Sequence, residues 1–451
     1  MPEPRQYFGT DGIRGKVGGE LINPEFVHKL GWAAGKVLAA DGSKSVVIGM
    51  DTRESGAQLA SALQTGLAAA GLRVLSAGII PTPAVAYLAR VLDACAGVVI
   101  SASHNPFTDN GIKFFDRYGG KLSDETERAI EANIAQADTE KDLSQSRPVD
   151  IQSVDDAAAR YIEFCRASVP ADLSLAGVRL VVDCANGAAY DIAPALFAGL
   201  DADARFIGVS PDGVNINLEC GATNLKALQR AVLAAKADLG IALDGDADRI
   251  MLVDSSGNIV DGDEILYIIT RLRLSLGEIE GPVVGTSMSN LGLEKAIAAA
   301  GLRFIREQVG DRHILQRLHE EGGVLGGEPS GHIICLDRSS TGDGLISALQ
   351  VLQAMQRENK SLAELGAGMQ KFPQVMLNVP VAAILCADQL DAAAPLVAKA
   401  EHRLGGNGRV LLRPSGTEAL VRVMVEGEDE QLIREIAGQL ADAVARLLQN
   451  S

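Results

Sequence analysis

Gly97-Val98-Val99-Ile100-Ser101-Ala102-Ser103-His104-Asn105-Pro106 is the stretch from which the rest of the chain is read. A β-branched run ends abruptly in small and polar residues, as a buried strand does where it reaches its tip and turns. Asn105-Pro106 imposes an extended or turn conformation and keeps a helix from absorbing Ser103 and His104. In open α/β sheets ligands gather at the carboxyl ends of strands, which is where this hydroxyl falls. Taken alone, the stretch fits a loop serine beside a surface histidine equally well.

Upstream, Val46-Val47-Ile48-Gly49 reads as a buried strand with Asp51-Thr52-Arg53-Glu54-Ser55-Gly56 as its polar exit. An Ala/Leu-rich helix to about Ala70, a strand near Arg73-Val74-Leu75 and a helix after Pro81-Thr82-Pro83 complete the alternation. Such spacing predicts right-handed β-α-β units and a mostly parallel sheet. Earlier still, Tyr7-Phe8-Gly9-Thr10-Asp11-Gly12-Ile13-Arg14-Gly15 sets glycines around Arg14, a forked cation suited to phosphate, although an N-terminal turn would look the same. Downstream, Asp109-Asn110-Gly111 turns into a strand carrying Lys113. A charged helix spans Ser123 to Ala137, and the polar tract Asp138 to Asp150 reads as a linker.

A second unit repeats the pattern, with strands Val178–Asp183 and Leu239–Leu243 around the turn Asn186-Gly187-Ala188 and the helix Leu225–Ala235. The last strand runs into Asp244-Gly245-Asp246-Ala247-Asp248-Arg249 and returns as Ile250–Asp254. Three carboxylates at alternate positions can converge on one hard cation, and oxygen ligands suit Mg²⁺; an acidic surface turn is the plainer alternative. An EF-hand is excluded, because Arg249 and Ser255 stand where that loop needs glycine and glutamate.

A third unit begins near Asp261, with helices Glu264–Leu276 and Leu291–Ala299 around the strand Pro282–Thr286, and Gly310-Asp311-Arg312 opening a further helix. Leu325-Gly326-Gly327-Glu328-Pro329-Ser330-Gly331-His332 packs a carboxylate, a hydroxyl and an imidazole into a glycine-rich loop, as binding of sugar hydroxyls requires. His332 fits a satisfied structural histidine as well. Thr341-Gly342-Asp343-Gly344 caps a long helix, and capping alone accounts for Asp343. After a break at Lys371-Phe372-Pro373, a small unit reads as strand Val375–Val381, helix Asp388–Leu404, strands Arg409–Leu412 and Leu420–Glu426, and a terminal helix from Asp429. Its loop Arg413-Pro414-Ser415-Gly416-Thr417-Glu418, with Arg422 just beyond, offers amides, hydroxyls and guanidiniums to an anion, where an ordinary polar turn would carry fewer cations.

The expected fold is α/β: three tandem mixed α/β domains with largely parallel sheets (1–150, 151–255, 256–370) and a smaller C-terminal α+β domain (371–451), around a four-domain cleft. A length of 451 residues suits roughly three domains or more. A composition of 47% hydrophobic and 22% charged residues is that of a soluble globular protein. The net charge of −17 argues against nucleic acid or an anionic membrane as partner. No apolar run approaches the ~20 residues of a membrane span, and the start lacks the layout of a signal peptide. Six cysteines scattered singly suit a reducing cytoplasm.

In this order the four stretches resemble the S/T-A-S-H-N-P serine loop, D-G-D-x-D-R metal loop, G-E-x-S-G-H sugar loop and R-x-S-G-T phosphate loop of the α-D-phosphohexomutases. The resemblance covers essentially the whole chain. Tyr7–Gly15, Asp183-Cys184-Ala185-Asn186-Gly187-Ala188, Val309-Gly310-Asp311-Arg312 and Thr341–Gly344 resemble that family's bacterial branch acting on glucosamine phosphates. Two departures stand out: Pro329 inside the sugar loop, where that branch more usually has a polar residue, and Ala419 after Glu418, where the family commonly has proline.

The resemblance implies an isomerase, an intramolecular phosphotransferase carrying a phosphoserine at Ser103. That phosphate joins Asp244, Asp246 and Asp248 around one Mg²⁺ per subunit. The implied reaction interconverts glucosamine 6-phosphate and glucosamine 1-phosphate through a 1,6-bisphosphate, with a sugar bisphosphate as activator, feeding UDP-N-acetylglucosamine and cell-wall synthesis. Arg14, Lys113, Arg249 and His332 would surround the transferring group. Lys113 and His332 would serve as acid and base in either order, and His104 would orient Ser103. Gly310, Asp311, Glu328 and Ser330 would meet the sugar, while Arg413, Ser415, Gly416, Thr417 and Arg422 would grip the phosphate that does not react. A small phosphosugar is then the partner, with neither nucleic acid nor membrane, a homodimer left open and a cytoplasmic location. The alternatives are a phosphomannomutase/phosphoglucomutase of the same fold, and a binding protein without turnover, which the presence of Ser103 and all three aspartates disfavours.

Overall fold

The computed structural model describes residues 5–39, 43–137, 150–279, 281–383, 385, 387–415 and 419–449. The linker expected over 138–149 lies outside them, as do Gly416, Thr417 and Glu418 of the expected phosphate loop and Cys386. The chain folds as two compact units, Met1–Thr286 with Glu307–Gly366, and Ser287–Arg306 with Ala367–Ser451.

In the first unit, β1 (Ile13–Lys16), β2 (Ser45–Met50), β3 (Arg73–Ile79), β4 (Ala96–Ile100), β5 (Asp109–Asp116) and β6 (Ile151–Ser153) form one sheet in the order β1-β5-β4-β2-β3-β6. The pairings β4-β2, β2-β3 and β3-β6 are parallel, whereas β5 runs antiparallel to both β4 and β1. All of β4 and nearly all of β2 are buried, as continuous apolar runs covered on both faces should be. The accompanying helices are α1 (Pro24–Leu38), α2 (Gly56–Ala69), α3 (Thr82–Val91) and α4 (Asp124–Ile134). The helices α1 and α2 touch backbone to backbone: a Cβ on Gly66 would lie 2.1 Å from the His28 carbonyl oxygen. The strand β6 was not expected; its residues are exposed and carry no apolar signal.

A second sheet follows α5 (Ala157–Arg166). It comprises β7 (Arg179–Asp183), β8 (Asp203–Ile207), β9 (Leu239–Leu243), β10 (Ile250–Asp254) and β11 (Ile259–Val260), ordered β11-β10-β9-β7-β8, with α6 (Ile192–Ala198) and α7 (Lys226–Ala235) between strands. The strands β8 and β9 lie parallel to β7, and β9-β10 is the expected antiparallel return. The third set begins with α8 (Gly262–Leu276), opened by a complete capping box from Asp261 and Glu264. Next along the chain come β12 (Val283–Thr286), α9 (Leu291–Ala299), β13 (Phe304–Glu307), α10 (Asp311–Glu321), β14 (Leu325–Gly327), β15 (Ile333–Cys335), α11 (Gly344–Glu358) and α12 (Leu362–Gly366). The strands β12 and β14 are parallel, β14 and β15 antiparallel. The expected eight-residue sugar loop is therefore shorter, because Leu325-Gly326-Gly327 is strand despite its two glycines. Glu328–His332 is the turn of a hairpin.

In the second unit β16 (Gln374–Pro380), β17 (Gly408–Pro414) and β18 (Leu420–Gly427) form an antiparallel sheet ordered β16-β18-β17, packed with α13 (Ala394–Leu404) and α14 (Glu430–Gln449). The single helix expected over Asp388–Leu404 is in fact two pieces. A 3₁₀ turn at Ala387–Ala393 gives way to α13, with Pro395 in the first helical turn, where its missing N–H costs nothing. Among the described residues no helix is long and apolar enough to cross a membrane.

Candidate active site

Ser103 stands three residues beyond β4, but the loop tip is not exposed: the serine is completely buried. Its φ of +52° places it in the left-handed region that L residues avoid. Side chains hold it there. Its N–H donates to Ser101 Oγ at 2.9 Å, and Ser101 Oγ donates to Asp51 at 2.6 Å. The fully buried Arg53 guanidinium pairs with Asp51 at 2.9 Å and donates to the carbonyls of Ser103, Asn105 and Asp109 at 2.8–3.0 Å. Asn217, reaching over from the loop after β8, donates to the Ser103 and Asn105 carbonyls at 2.9 and 3.2 Å.

The hairpin β9-β10 delivers the aspartates to this serine. Gly245 is the point of contact, since a Cβ there would lie 2.6 Å from the Ser103 carbonyl oxygen. Ser103 Oγ donates to Asp244 at 2.5 Å and lies 3.3 Å from His104 Nδ1. Asp244, Asp246 and Asp248 are buried and bring carboxylate oxygens within 4.8 Å of one another. Burial together with the neighbouring Asp248 and Asp246 charges pushes the Asp244 carboxyl well above the usual range. Asp248 is opposed by the same burial, yet Lys113, His332 and Arg249 hold it well below. Asp246 Oδ1 and Asp248 Oδ1 are buried without a hydrogen-bond partner. Convergent carboxylates with unspent oxygens fit a small hard cation such as Mg²⁺.

Cations gather around the triad. Lys113 Nζ reaches Asp246 at 2.7 Å, Asp248 at 3.1 Å and Asp11 at 3.1 Å; despite burial, these charges raise its pKa well above the ordinary lysine value. Arg14 pairs with Asp11, and the Arg249 backbone N–H donates to Asp244 at 3.2 Å. His332 lies 3.7 Å from Asp248 and 3.5 Å from Asp311. Burial disfavours its charge, but Asp248, Asp311 and Glu328 override it and raise the pKa to about 9. His104 behaves oppositely: burial and the Arg249 and Arg14 charges lower it to about 4, so it is neutral at pH 7.

A cavity of about 400 Å³ opens onto this group, lined by Tyr7, Gly9–Gly12, Arg14, Arg249, Gly310, Asp311, Glu328 and His332 among others. Glu328 accepts from the Gly310 N–H at 2.9 Å and from Ser330 Oγ at 3.3 Å, which ties the two expected sugar segments together. In the second unit, Arg413 on β17 lies directly across from Arg422 on β18. Burial and the Arg422 charge lower the Arg413 pKa, and its buried Nε has no hydrogen-bond partner. Ser415 is buried and its N–H bonds the Leu420 carbonyl at 2.9 Å. Residues not singled out from sequence also meet the site: Asp11, Arg53, Asn217, Lys121, and Thr82, whose hydroxyl donates to Asp246 at 2.6 Å. Arg53 left a trace as a cation in the polar exit of β2, and Asp11 and Thr82 lie in stretches quoted for other reasons.

The chain matches the phosphoglucomutase/phosphomannomutase family in all four of its parts: α/β/α domain I over residues 5–141, domain II over 159–257, domain III over 261–372 and the C-terminal domain over 376–443. It belongs to that family. Among family members, a phosphoglucosamine mutase of Alkalilimnicola ehrlichii is 55% identical over 440 residues, 98% of this chain and 97% of that one. One from Erwinia tasmaniensis is 56% identical over 443 residues, 98% and 99% of the two chains. Of solved structures, a family protein from Burkholderia thailandensis superposes with a TM-score of 0.79 at 23% identity, covering 97% of each chain. An Aspergillus fumigatus N-acetylphosphoglucosamine mutase, solved with GlcNAc-6P and magnesium, gives 0.69 at 19% identity over 99% of this chain and 97% of that one. These two establish the shared fold.

Proposed function

We propose that the protein interconverts glucosamine 6-phosphate and glucosamine 1-phosphate as a phosphohexomutase of the isomerase class, with Ser103 as the phosphate carrier. The observation that carries the reading is the Ser103 hydroxyl hydrogen-bonded into a buried aspartate triad next to a polar cavity to which Arg14, Arg249 and His332 contribute, in a chain about 55% identical to phosphoglucosamine mutases over nearly its full length.

Phospho-Ser103 gives its phosphoryl group to the C1 hydroxyl of glucosamine 6-phosphate: the P–Oγ bond breaks and a P–O1 bond forms. The 1,6-bisphosphate turns over and returns its 6-phosphoryl group to Ser103. Asp244, Asp246 and Asp248 would hold Mg²⁺, which would supply charge neutralisation for the transferring phosphoryl group. Arg14 and Arg249 add fixed positive charge beside it. Lys113 and His332 divide the proton transfers: one, protonated, donates to Oγ as it leaves, and the other, entering the step deprotonated, takes the proton of the sugar hydroxyl. His104, neutral, orients the serine side chain. Glu328, Ser330, Gly310 and Asp311 meet the sugar. Arg413, Ser415, Gly416, Thr417 and Arg422 grip the spectator phosphate, the same role in both half-reactions. A sugar 1,6-bisphosphate as activator and a cytoplasmic location belong to the same proposal.

Coupled assays with glucosamine, mannose and glucose 6-phosphates test it. Preference for a neutral sugar by roughly a hundredfold in kcat/KM would overturn the amino-sugar assignment. Intact-mass measurement after incubation with a sugar bisphosphate should add one phosphate, at Ser103.

A further inference from the structure

The beginning of α4 carries an ion-pair cluster that the reaction does not use. Ser123 caps the helix, and Asp124, Glu125 and Glu127 crowd its first turn, where the helix dipole favours negative charge. Glu127 is 3% exposed, yet it takes two guanidiniums from distant parts of the chain. Arg5 pairs with Glu127 and, at 3.1 Å, with Asp124. Arg312 pairs with Glu127 through both terminal nitrogens and with Asp124 at 2.5 Å. One turn on, Glu131 accepts the backbone N–H groups of Gln6, Tyr7 and Phe8 at 2.7–2.9 Å. Just before the helix, Lys121 Nζ reaches Asp11 at 2.9 Å and Asp311 at 2.6 Å.

These contacts converge on the cavity. Arg5 and Glu131 fix the segment that runs into Tyr7–Arg14, one cavity wall, and Arg312 directly follows Gly310-Asp311, another. The two walls are separated by about three hundred residues of chain, and Glu127 holds the anchor of each. We propose that the start of α4 is a latch that sets the spacing of these two walls, with Glu127 as its positioning residue. Glu127 is the buried partner of both guanidiniums, so removing its charge leaves them to the half-exposed Asp124 alone and weakens the tie between the walls. The Ser103–aspartate group has further holds of its own, through Arg53, Asn217 and Thr82.

The inference rests on the mutase reading for its kinetic consequence, and its test has a second readout that does not. In full-length Glu127→Gln, KM for glucosamine 6-phosphate should rise roughly tenfold while the fraction of phospho-Ser103 formed from a sugar bisphosphate is unchanged. Glu127→Asp, which keeps the charge on a shorter stem, should fall between. Arg312→Gln should raise KM similarly, and the double variant should be no worse than the worse single one. Backbone amide exchange should accelerate at both 6–14 and 309–312 in Glu127→Gln. A KM within twofold of wild type in the folded variants, additive effects in the double variant, or faster exchange in only one of the two segments would overturn the latch. If Glu127→Gln does not fold, Arg5→Gln and Arg312→Gln decide the question through the same two measurements. Wild-type protein without turnover of any sugar phosphate would count against the mutase reading, leaving the exchange experiment to decide the latch.

Discussion

The two charged regions of this protein are built on opposite principles. Around Ser103 the chain buries carboxylates in mutual repulsion and surrounds them with cations, each held by several partners. In the second unit Arg413 and Arg422 face each other across an antiparallel ladder, where like charges directly opposite destabilise a sheet. In the proposed reaction the first region makes and breaks bonds, and charge there must be dry and fixed before the phosphoryl group arrives. The second is half-buried and cationic, two guanidiniums opposed across a ladder, and its proposed task is to grip a phosphate. The first region settles its repulsion through buried ion pairs, whereas the second shows it in the lowered pKa of Arg413.

Ser103→Ala should show the contrast most sharply, lowering kcat by about 10³-fold or more and abolishing the added phosphate mass. Because Ser103 is buried and its hydroxyl serves Asp244, thermal stability should also fall, by about 1–3 kcal/mol; an unchanged melting temperature would contradict the buried placement. Next, Asp246→Asn should cut kcat by about 10²-fold and raise the Mg²⁺ needed for half-maximal rate. Chelation with EDTA should abolish wild-type turnover until Mg²⁺ is restored. Turnover that survives chelation would dissolve the distinction between the regions.

In the other region, Arg413→Ala should raise KM by about tenfold or more with a smaller loss in kcat and normal phosphorylation of Ser103. Its melting temperature should be unchanged or slightly higher, since a repulsion has been removed. A marked loss of stability would show the arginine pair to be structural. The smallest effect concerns Asp343, buried beside Tyr161, whose hydroxyl donates to it at 2.8 Å. Burial raises its pKa to about 6. The folded state thus binds this proton more tightly than the unfolded chain. The stabilisation is complete below about pH 4 and is lost as pH rises through 6. Asp343→Asn, which keeps the cap acceptor for Ile346, should therefore gain on wild type between pH 4 and 7, by at most about 3 kcal/mol. A difference in melting temperature that stays flat over this range would reject the assignment.

How much of this was legible from the sequence follows from the range of each interaction. The strands β4 and β9 announce themselves as apolar runs ending in polar turns, and the aspartate spacing is local, so both were readable. The hairpin β14-β15 was not, because Leu325-Gly326-Gly327 has almost no side chain with which to signal a strand. Nor was β6, whose three residues are exposed and pair only through the backbone. The roles of Arg53, Lys121 and Glu127 were hidden for a different reason. Arg53 acts on carbonyls some fifty residues away and Lys121 on an aspartate 190 residues away, and nothing near them in the chain marks those partners. The proline that splits the expected helix over Asp388–Leu404 was in plain view, but its effect depends on which turn begins the helix.

The left-handed backbone at Ser103 bears on which residue can carry phosphate there. Threonine has the same nucleophilic oxygen, but its second branch at Cβ makes positive φ a genuine outlier. Glycine would sit comfortably at that angle and bring no oxygen. Serine is thus the hydroxyl residue with the least bulk for a twist that the Arg53 and Asn217 contacts impose on the chain. The torsion angle acts as a filter on chemistry, deciding which side chain can stand at this position before any substrate arrives.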